Sequence, residues 1–578
     1  MDTTRRRTNI EKPNAAGRSS EQASGTPSTT AAVPAGEHQH QPKPISKSLL
    51  ILIALIIGIA FLSFRTRRSG HEHNIVSPFH GVNRDTLDFT ADSKKQDAIV
   101  AAFKHAWNAY RRDAWGYDDY HPIKRKGENL SSSGGIGYTI VDALDTLHIM
   151  GLHDDFAEAR EWVANELSFD RDDKYNAFEV TIRVLGGLLS AYHLSQDEIF
   201  LEKATDLGER LLAIFNTNSG IPLSFVNLAK REGLPDSDNN GLSSTAEAAT
   251  LQLEFKYLAH LTDDLTYWKA AEKVMDVIRN AGGMTGLVPI FMRPEQGVFM
   301  TSEIRFGSRG DSYYEYLLKQ YLQTNRAEPI YREMYDNAMG LMQRDLVKRT
   351  PANGVLYVAE LHPQYNRETK SMDWKLYPKQ DHLVCFLGGS LLLGVTEGKG
   401  PFPPEWETLT ASQQRDWMTG EDIIKTCVAT YNTATGLSPE IVHFKTSEDK
   451  DADSVDWYIK GSDPSNPDVL SFDARYILRP ETVESLFLAW RQTGDQKYRD
   501  QGWKIFEAIE KYTKVEDGGY TSILNVNSTH TPREDKMETF FLSETLKYLY
   551  LLFSDSSVLP LDQYVFNTEA HPLPVFQP

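Results

Sequence analysis

Seven stretches of this chain are apolar helical runs, most of them carrying aromatics, that open on a carboxylate or a histidine, and most of these openings carry an Asp or a Glu. They are VDALDTL (Val141 to Leu147), FEVTIRVLGGLLSAY (Phe178 to Tyr192), STAEAATLQLEFKYL (Ser244 to Leu258), SRGDSYYEYLLKQYL (Ser308 to Leu322), DHLVCFLGG (Asp381 to Gly389), LRPETVESLF (Leu478 to Phe487) and KMETFFLSETLKYLYLLF (Lys536 to Phe553). An unpaired buried carboxylate costs several kcal/mol or neutralises itself, so a closed core does not place acids at these points. Helix starts that converge would build an acidic pocket instead.

Several of these runs are followed by a short polar turn and a second helical run opening on an aromatic: LSQDEIF after Tyr192, LTDDLTYW after Leu258, QTNRAEPIY after Leu322 and QTGDQKY after Trp490. Such a helix, turn, helix unit cannot bury its apolar face alone and packs on its neighbours. The spacing is irregular, which argues against an open solenoid and for about seven units closed into a ring of inner and outer helices. Long alternating strand patterns are absent, so the expected fold class is all-α. With 578 residues, 40% of them hydrophobic, the chain can bury a large core. Its formal net charge of −19 argues against nucleic acid and suits a neutral polar ligand or a cation in the pocket.

The N-terminal region has a different composition. Residues 1–47 are rich in Ser, Thr, Pro, Ala and Gln and read as a disordered cytosolic tail. Residues 48–64 are apolar and bounded by Lys47 and by Arg65, Arg67 and Arg68, the pattern of a single-pass signal anchor slightly shorter than the usual span. Local charge does not settle its orientation. Residues 65–88 read as a stem and 89–578 as the folded domain. Sequons at Asn129 and Asn527, together with only two cysteines, Cys385 and Cys427, favour a lumenal domain behind a type II anchor. Two thiols are too few for a zinc cluster; they are compatible with one disulfide or with two buried thiols, and a bridge is the expectation.

Asp236, Asp238, Asn240, Gly241 and Glu247 have the ligand spacing of an EF-hand loop. Gly220, Pro222 and Pro235 break any entering helix, and Ser243 stands where that loop buries an aliphatic side chain. The segment therefore reads as a polar loop delivering Glu247 to the mouth of its helix.

FEVTIRVLGGLLSAY, SRGDSYYEYLLKQYL, DHLVCFLGG, LRPETVESLF, KMETFFLSETLKYL and the terminal FNTEAHPL (Phe566 to Leu573), in this order, resemble the class I α-1,2-mannosidases of glycoside hydrolase family 47 over roughly residues 89–578. The resemblance implies an (α/α)7 barrel, hydrolysis with inversion at the anomeric carbon, and a calcium ion at the barrel floor. It places Glu179 on the acid side and Glu481 as the base, and gives Asp311 an acid role as well, leaving the proton donor open between Glu179 and Asp311. Arg183, one helical turn after Glu179, can pair with it, which would oppose an acid role for Glu179 unless a water relays the proton. Pro480 suits the first helical position before Glu481.

By the same resemblance Thr568 binds calcium through its carbonyl and hydroxyl, Glu544 and Glu569 hold the ion's waters, and Phe540 offers a floor against which a sugar stacks. Arg183, Glu247, Arg309, His382, Arg479, Glu484, Phe540, Glu544 and Glu569 are the expected substrate-binding residues. Arg309, His382 and the surroundings of Cys385 are similar to the endoplasmic reticulum type, which points to trimming of one mannose from a Man9 N-glycan to give Man8. The partners implied are high-mannose N-glycans on glycoproteins, and a membrane through one N-terminal helix. A Golgi-type enzyme removing several mannoses and a lectin-like degradation factor with little catalysis are the alternatives.

Overall fold

The computed structural model describes residues 77–578 apart from 464, 465, 467 and 468. The tail and the anchor expected at 1–47 and 48–64, and most of the stem, lie outside the described residues. Among the described residues no helix is long and apolar enough to cross a membrane.

Helix α1 (Ser93–Asp113) is followed by six helical hairpins: α2 (Tyr138–Ile149) with α3 (His153–Asn165), α4 (Gly186–Ser195) with α5 (Glu198–Leu211), α6 (Gln252–Thr262) with α7 (Leu265–Asn280), α8 (Asp311–Gln323) with α9 (Pro329–Leu341), α10 (Phe386–Thr396) with α11 (Ala411–Ala429), and α12 (Glu481–Thr493) with α13 (Gln496–Tyr512). The last helix, α14 (Leu546–Leu552), packs back on α1 and completes a seventh pair. The even-numbered helices touch one another in chain order, and the π-helical turn Phe541–Thr545 that leads into α14 packs on α2, which closes the ring.

Burial separates the two layers. In α10 every residue from Phe386 to Val395 is buried, as an inner helix covered on all sides requires. In α5 only a stripe is buried, formed by Phe200, Ala204, Leu207, Gly208 and Leu211. The tight inner-to-outer turns follow from local chemistry. Gln196, Asp263 and Gly494 end their helices in the left-handed region, at φ 58°, 56° and 66°. The aspartates that follow, Asp197, Asp264 and Asp495, cap the outer helices by accepting from backbone N–H groups two residues on. The polar turns of the sequence are thus paired helix stop and start signals.

α10 and α11 approach unusually closely: a Cβ on Gly420 would lie 2.9 Å from the carbonyl oxygen of Gly388, and one on Gly388 would lie 2.6 Å from Ile424. A side chain at either position would push the helices apart. The same pair is fastened by the Cys385–Cys427 disulfide, so the expected bridge is present.

The all-α expectation needs one correction. Short antiparallel strands, in sheets of two or three, occupy the connections from each outer helix to the next inner one. Most run two to four residues, too short for alternation to register in sequence. The longest pair, Glu360–Asn366 with Ser371–Tyr377, forms a projecting hairpin. Since inner-to-outer turns are short, except for residues 397–410 between α10 and α11, and outer-to-inner connections long, most of the long connections gather at the end of the ring where the inner helices begin.

A C-terminal hairpin, Tyr564–Phe566 with Pro572–Pro574, fills the ring interior. Its tip reaches five inner-ring segments: Asn567 donates to the carbonyl of Ile182 and to Glu254, the Thr568 N–H donates to the hydroxyl of Tyr316, His571 bonds Asp142 and Asp145, and Lys547 donates to the carbonyl of Ala570. The ring is therefore a blind cup.

Candidate active site

The cup opens as a cavity of about 310 Å³ at the N-terminal ends of the inner helices. Four carboxylates arrive there from four helix starts. Glu179 closes the one-turn helix Ala177–Glu179, capped by Asn176, whose Oδ1 accepts from the Glu179 N–H at 2.9 Å. Glu247 sits in Thr245–Ala248, capped in the same way by Ser244. Asp311 and Glu481 are the first residues of α8 and α12. Pro480 stands at the cap itself, one position earlier than expected. Positive helix ends facing a common space account for acids gathering where a core would exclude them.

The environments of these carboxylates differ. Burial pushes Asp311 up to about 7, Glu315 and Glu481 adding to the shift through their charge. Burial also pushes Glu481 upward, but a hydrogen bond from His382 Nδ1 at 2.9 Å and the charge of Arg479, 3.8 Å away, outweigh it and hold Glu481 below the usual glutamate range. Arg479 is itself clamped by Glu440 through bonds of 2.7 to 3.0 Å. Near neutral pH the arrangement therefore lets Asp311 retain a proton part of the time while Glu481 is ionised. Glu247 is also pushed up to about 7 by burial, against the pull of Arg309 at 4.0 Å.

Arg183 gathers the opposite wall. Its Nε donates to Glu179 at 2.8 Å, and its Nη1 donates to Glu569 and, at 3.1 Å, to Thr539. Phe540 lies between Arg183 and Arg479, whose guanidinium carbons are 5.6 and 5.8 Å from the ring centroid. At the floor the Thr568 hydroxyl donates to Glu315 at 2.9 Å. Glu484, Glu544 and Glu569 surround this point, and burial raises all three above the usual glutamate range, each further raised by neighbouring carboxylates. Lys319 bonds Glu315 and stands 3.7 Å from Glu484.

Of the expected site residues, Glu179, Arg183, Glu247, Arg309, Asp311, Arg479, Glu481, Glu484, Phe540, Glu544, Thr568 and Glu569 all line this cavity. His382 does not. It is 4% exposed, and its Nε2 lies 3.1 Å from the hydroxyl of Tyr431 and 3.0 Å from that of Thr482. It bonds Glu481 from behind the wall, so the structure does not place it in the cup where contact with substrate was expected. The acids of VDALDTL are corrected likewise: Asp142 and Asp145 are fully buried and paired with His571, Lys547 and Arg183 rather than placed at the mouth. Glu315, Lys319 and Glu440 were not anticipated. Asp311, Glu315 and Lys319 recur every four residues in α8, a one-face pattern that could have flagged the first two of these.

The turn at 236–241 closes on itself, Asp236 accepting from the N–H groups of Asp238 and Asn239. It leads to Glu247 as a polar loop would. Asn129 and Asn527 are both half-buried; the former accepts from the Asp118 N–H and the latter donates to the Ser462 hydroxyl.

Among the described residues no three His, Cys, Asp or Glu side chains converge tightly enough to grip an ion by themselves. The floor instead offers the oxygens of Thr568 within a ring of buried carboxylates that repel one another. That donor set fits a hard divalent cation coordinated by neutral oxygens and water, with the acids acting through the waters.

A closed double ring of helices around a polar cup, in which burial raises one carboxyl while a hydrogen bond and a cation keep another ionised, suits a glycosidase of the helical-barrel class. The chain belongs to glycosyl hydrolase family 47, whose sequence profile matches residues 102–575. It is 44% identical over 507 residues to a mannosyl-oligosaccharide 1,2-alpha-mannosidase of Candida albicans, a match covering 85% of this chain and 86% of that protein. It is 42% identical over 493 residues to the endoplasmic reticulum mannosyl-oligosaccharide 1,2-alpha-mannosidase of Schizosaccharomyces pombe, covering 83% and 90%. Among solved structures it is similar to the alpha-1,2-mannosidase from Trichoderma reesei, with a TM-score of 0.72 and 27% identity over 84% of this chain and 100% of that one. These relatives agree with the resemblance carried by the sequence motifs.

Proposed function

We propose that this protein is an inverting exo-α-1,2-mannosidase that trims high-mannose N-glycans on glycoproteins, removing one mannose from Man9 to give Man8. The contrasting surroundings of Asp311, buried among acids, and of Glu481, bonded by His382 and beside Arg479, support the reading, since inversion needs one carboxyl to give a proton and another to take one from water.

A terminal mannose enters the cup and lays one face on Phe540. Glu481, ionised, takes a proton from a water on its side of the anomeric carbon. The water oxygen bonds to that carbon as the bond to the leaving oxygen breaks, and the Asp311 proton is delivered to the leaving oxygen. Glu179, which accepts from Arg183 Nε at 2.8 Å, accepts sugar or water hydroxyls beside it. Arg309, across from Glu247, fixes which branch is presented. A calcium ion bound at Thr568 would hold sugar hydroxyls and offset the charge of Glu484, Glu544 and Glu569.

Two measurements test this. Purified protein given Man9 glycan should release mannose, and a chelator should abolish turnover; the first product seen by NMR should be β-mannose. Release of α-mannose would refute inversion, and undiminished turnover after full chelation would refute the metal's role.

The anchor at 48–64 would hold the enzyme in the endoplasmic reticulum or early Golgi membrane with its catalytic domain lumenal. The names of the relatives and the composition of the segment support this. Protease added outside sealed microsomes should leave the domain intact, and its digestion would overturn the topology.

A further inference from the structure

The projecting hairpin, Glu360–Asn366 with Ser371–Tyr377, has two unlike faces. Its register sets Leu361 opposite Leu376, Pro363 opposite Trp374 and Tyr365 opposite Met372 on one face, whereas the other is polar, with His362 opposite Lys375 and Gln364 opposite Asp373. The innermost apolar pair is covered, since Leu361 packs on the main core and Leu376 on the small cluster around Tyr357 and Phe444. The two outer pairs reach beyond that cover: Tyr365, Met372 and Trp374 are 57%, 45% and 43% exposed. A two-stranded hairpin is marginal in water by itself, and side chains of this kind held together in solvent mark an interaction surface. The hairpin rises from the rim of the cup. Ile304 and Leu361 exchange backbone hydrogen bonds of 2.9 Å, and Arg305, 3.8 Å from Glu360, donates to the Ser308 carbonyl at 2.7 Å. Ser308, Arg309 and Asp311 line the cup, so the apolar face begins beside the surface that takes the glycan.

The chemistry of the face selects its occupant. A bilayer would have to take the turn at 367–370 first, and that turn carries Arg367, Glu368 and Lys370. A second copy of the chain would need about 1,000 Å² or more of buried surface, whereas the two outer pairs offer on the order of a few hundred. An extended polypeptide fits: the outer pairs lie two residues apart along the strands, the repeat at which alternate side chains of an extended chain point to one side, and the uncharged face calls for apolar ones. We propose that this face docks an extended apolar segment of the polypeptide whose N-glycan occupies the cup. The inference rests on the proposed function and adds to it a contact with the protein part of the substrate. Docking the polypeptide raises the effective concentration of its glycan at the cup, which lowers KM and leaves the groups that act in kcat untouched.

The test uses the full chain, calcium-loaded and in detergent, and two substrates: free Man9 glycan, and a reduced, carboxymethylated glycoprotein carrying the same glycan. Tyr365→Ser combined with Trp374→Ser removes the two exposed rings and leaves the backbone bonds of the hairpin in place. KM for the glycoprotein should rise about tenfold, with kcat for both substrates and KM for the free glycan unchanged. Gln364→Ser, on the polar face, should change none of these. An unchanged KM for the glycoprotein, an equal rise on the free glycan, or the same rise in Gln364→Ser would overturn the proposal. So would self-association that the double variant loses, which assigns the face to a second copy, or fluorescence quenching by brominated lipid that Trp374→Phe removes, which assigns it to a bilayer. Failure of the parent enzyme to cleave either substrate would instead refute the proposed function. In that case calorimetry with a reduced, carboxymethylated polypeptide free of glycan still decides the hairpin: equal affinities for the parent and the double variant would sink it.

Discussion

Replacing His382 by leucine probes the base without touching substrate. The ring donates from Nδ1 to Glu481 at 2.9 Å, since a carboxylate only accepts, and its Nε2 lone pair then accepts from one of the two hydroxyls beside it, those of Tyr431 and Thr482. Leucine removes the donor, leaves a residue of similar bulk, and lets the two hydroxyls pair with each other. A hydrogen bond to a charged group contributes about 1.5–3 kcal/mol, and one pKa unit corresponds to about 1.36 kcal/mol. Glu481 should therefore titrate about one to two units higher. It works ionised, so activity is present above its pKa and lost as pH falls through it; raising that pKa moves the acidic limb of the kcat/KM profile upward by the same amount. The alkaline limb belongs to Asp311, which works protonated and loses its proton near pH 7, and it should stay where it is. The bell should thus narrow from its acidic side and lose height. Profiles recorded between about pH 4 and pH 9 on both proteins measure the shift. His382→Asn, whose amide nitrogen falls near the Nδ1 position, should recover part of it. Activity that drops with an unmoved acidic limb, or a moved alkaline limb, would refute the account of how Glu481 is kept ionised.

Asp311→Asn should lower kcat by about 10² to 10⁴ and abolish the alkaline limb; a limb still near pH 7 would assign it to another group, Glu247 being the first to examine. Cys385→Ser combined with Cys427→Ser opens a loop spanning 42 residues, which in the chain-entropy model lowers stability by about 4 kcal/mol and, for a domain of this size, Tm by about 4 °C. Calorimetry finding no change would mean the helix pair is held by packing alone. Arg309→Leu should broaden the product from Man8 to further trimmed glycans, because an apolar side chain replaces the multi-donor group facing Glu247. An unchanged product ladder, read by chromatography, would remove Arg309 from branch selection.

What the sequence by itself determined is local in origin. Helix starts and stops were legible because caps and left-handed turns act within a few residues: Asp197, Asp264 and Asp495 mark the outer helices as plainly in the chain as in the structure. The pairing of Glu179 with Arg183 was legible for the same reason, as one turn of helix sets their separation. The ring could be expected because each unit leaves an apolar face uncovered.

The fate of each acid was decided only by tertiary structure. Asp142 and Asp145 stand in one of the acid-bearing runs as Asp311 does, but inside α2 rather than at its start, and they are sealed in the core because His571 and Lys547, some 400 residues further along the chain, arrive to pair with them. His382 carries every mark of a helix-mouth residue, and whether it faces substrate or stands behind Glu481 depends on where α12 falls beside it. The Asp311 pKa near 7 is likewise a property of burial by neighbours, not of the residue or its helix. Caps and spacings are encoded by bonds between near neighbours, whereas the protonation and exposure of a carboxylate depend on groups brought to it from distant parts of the chain.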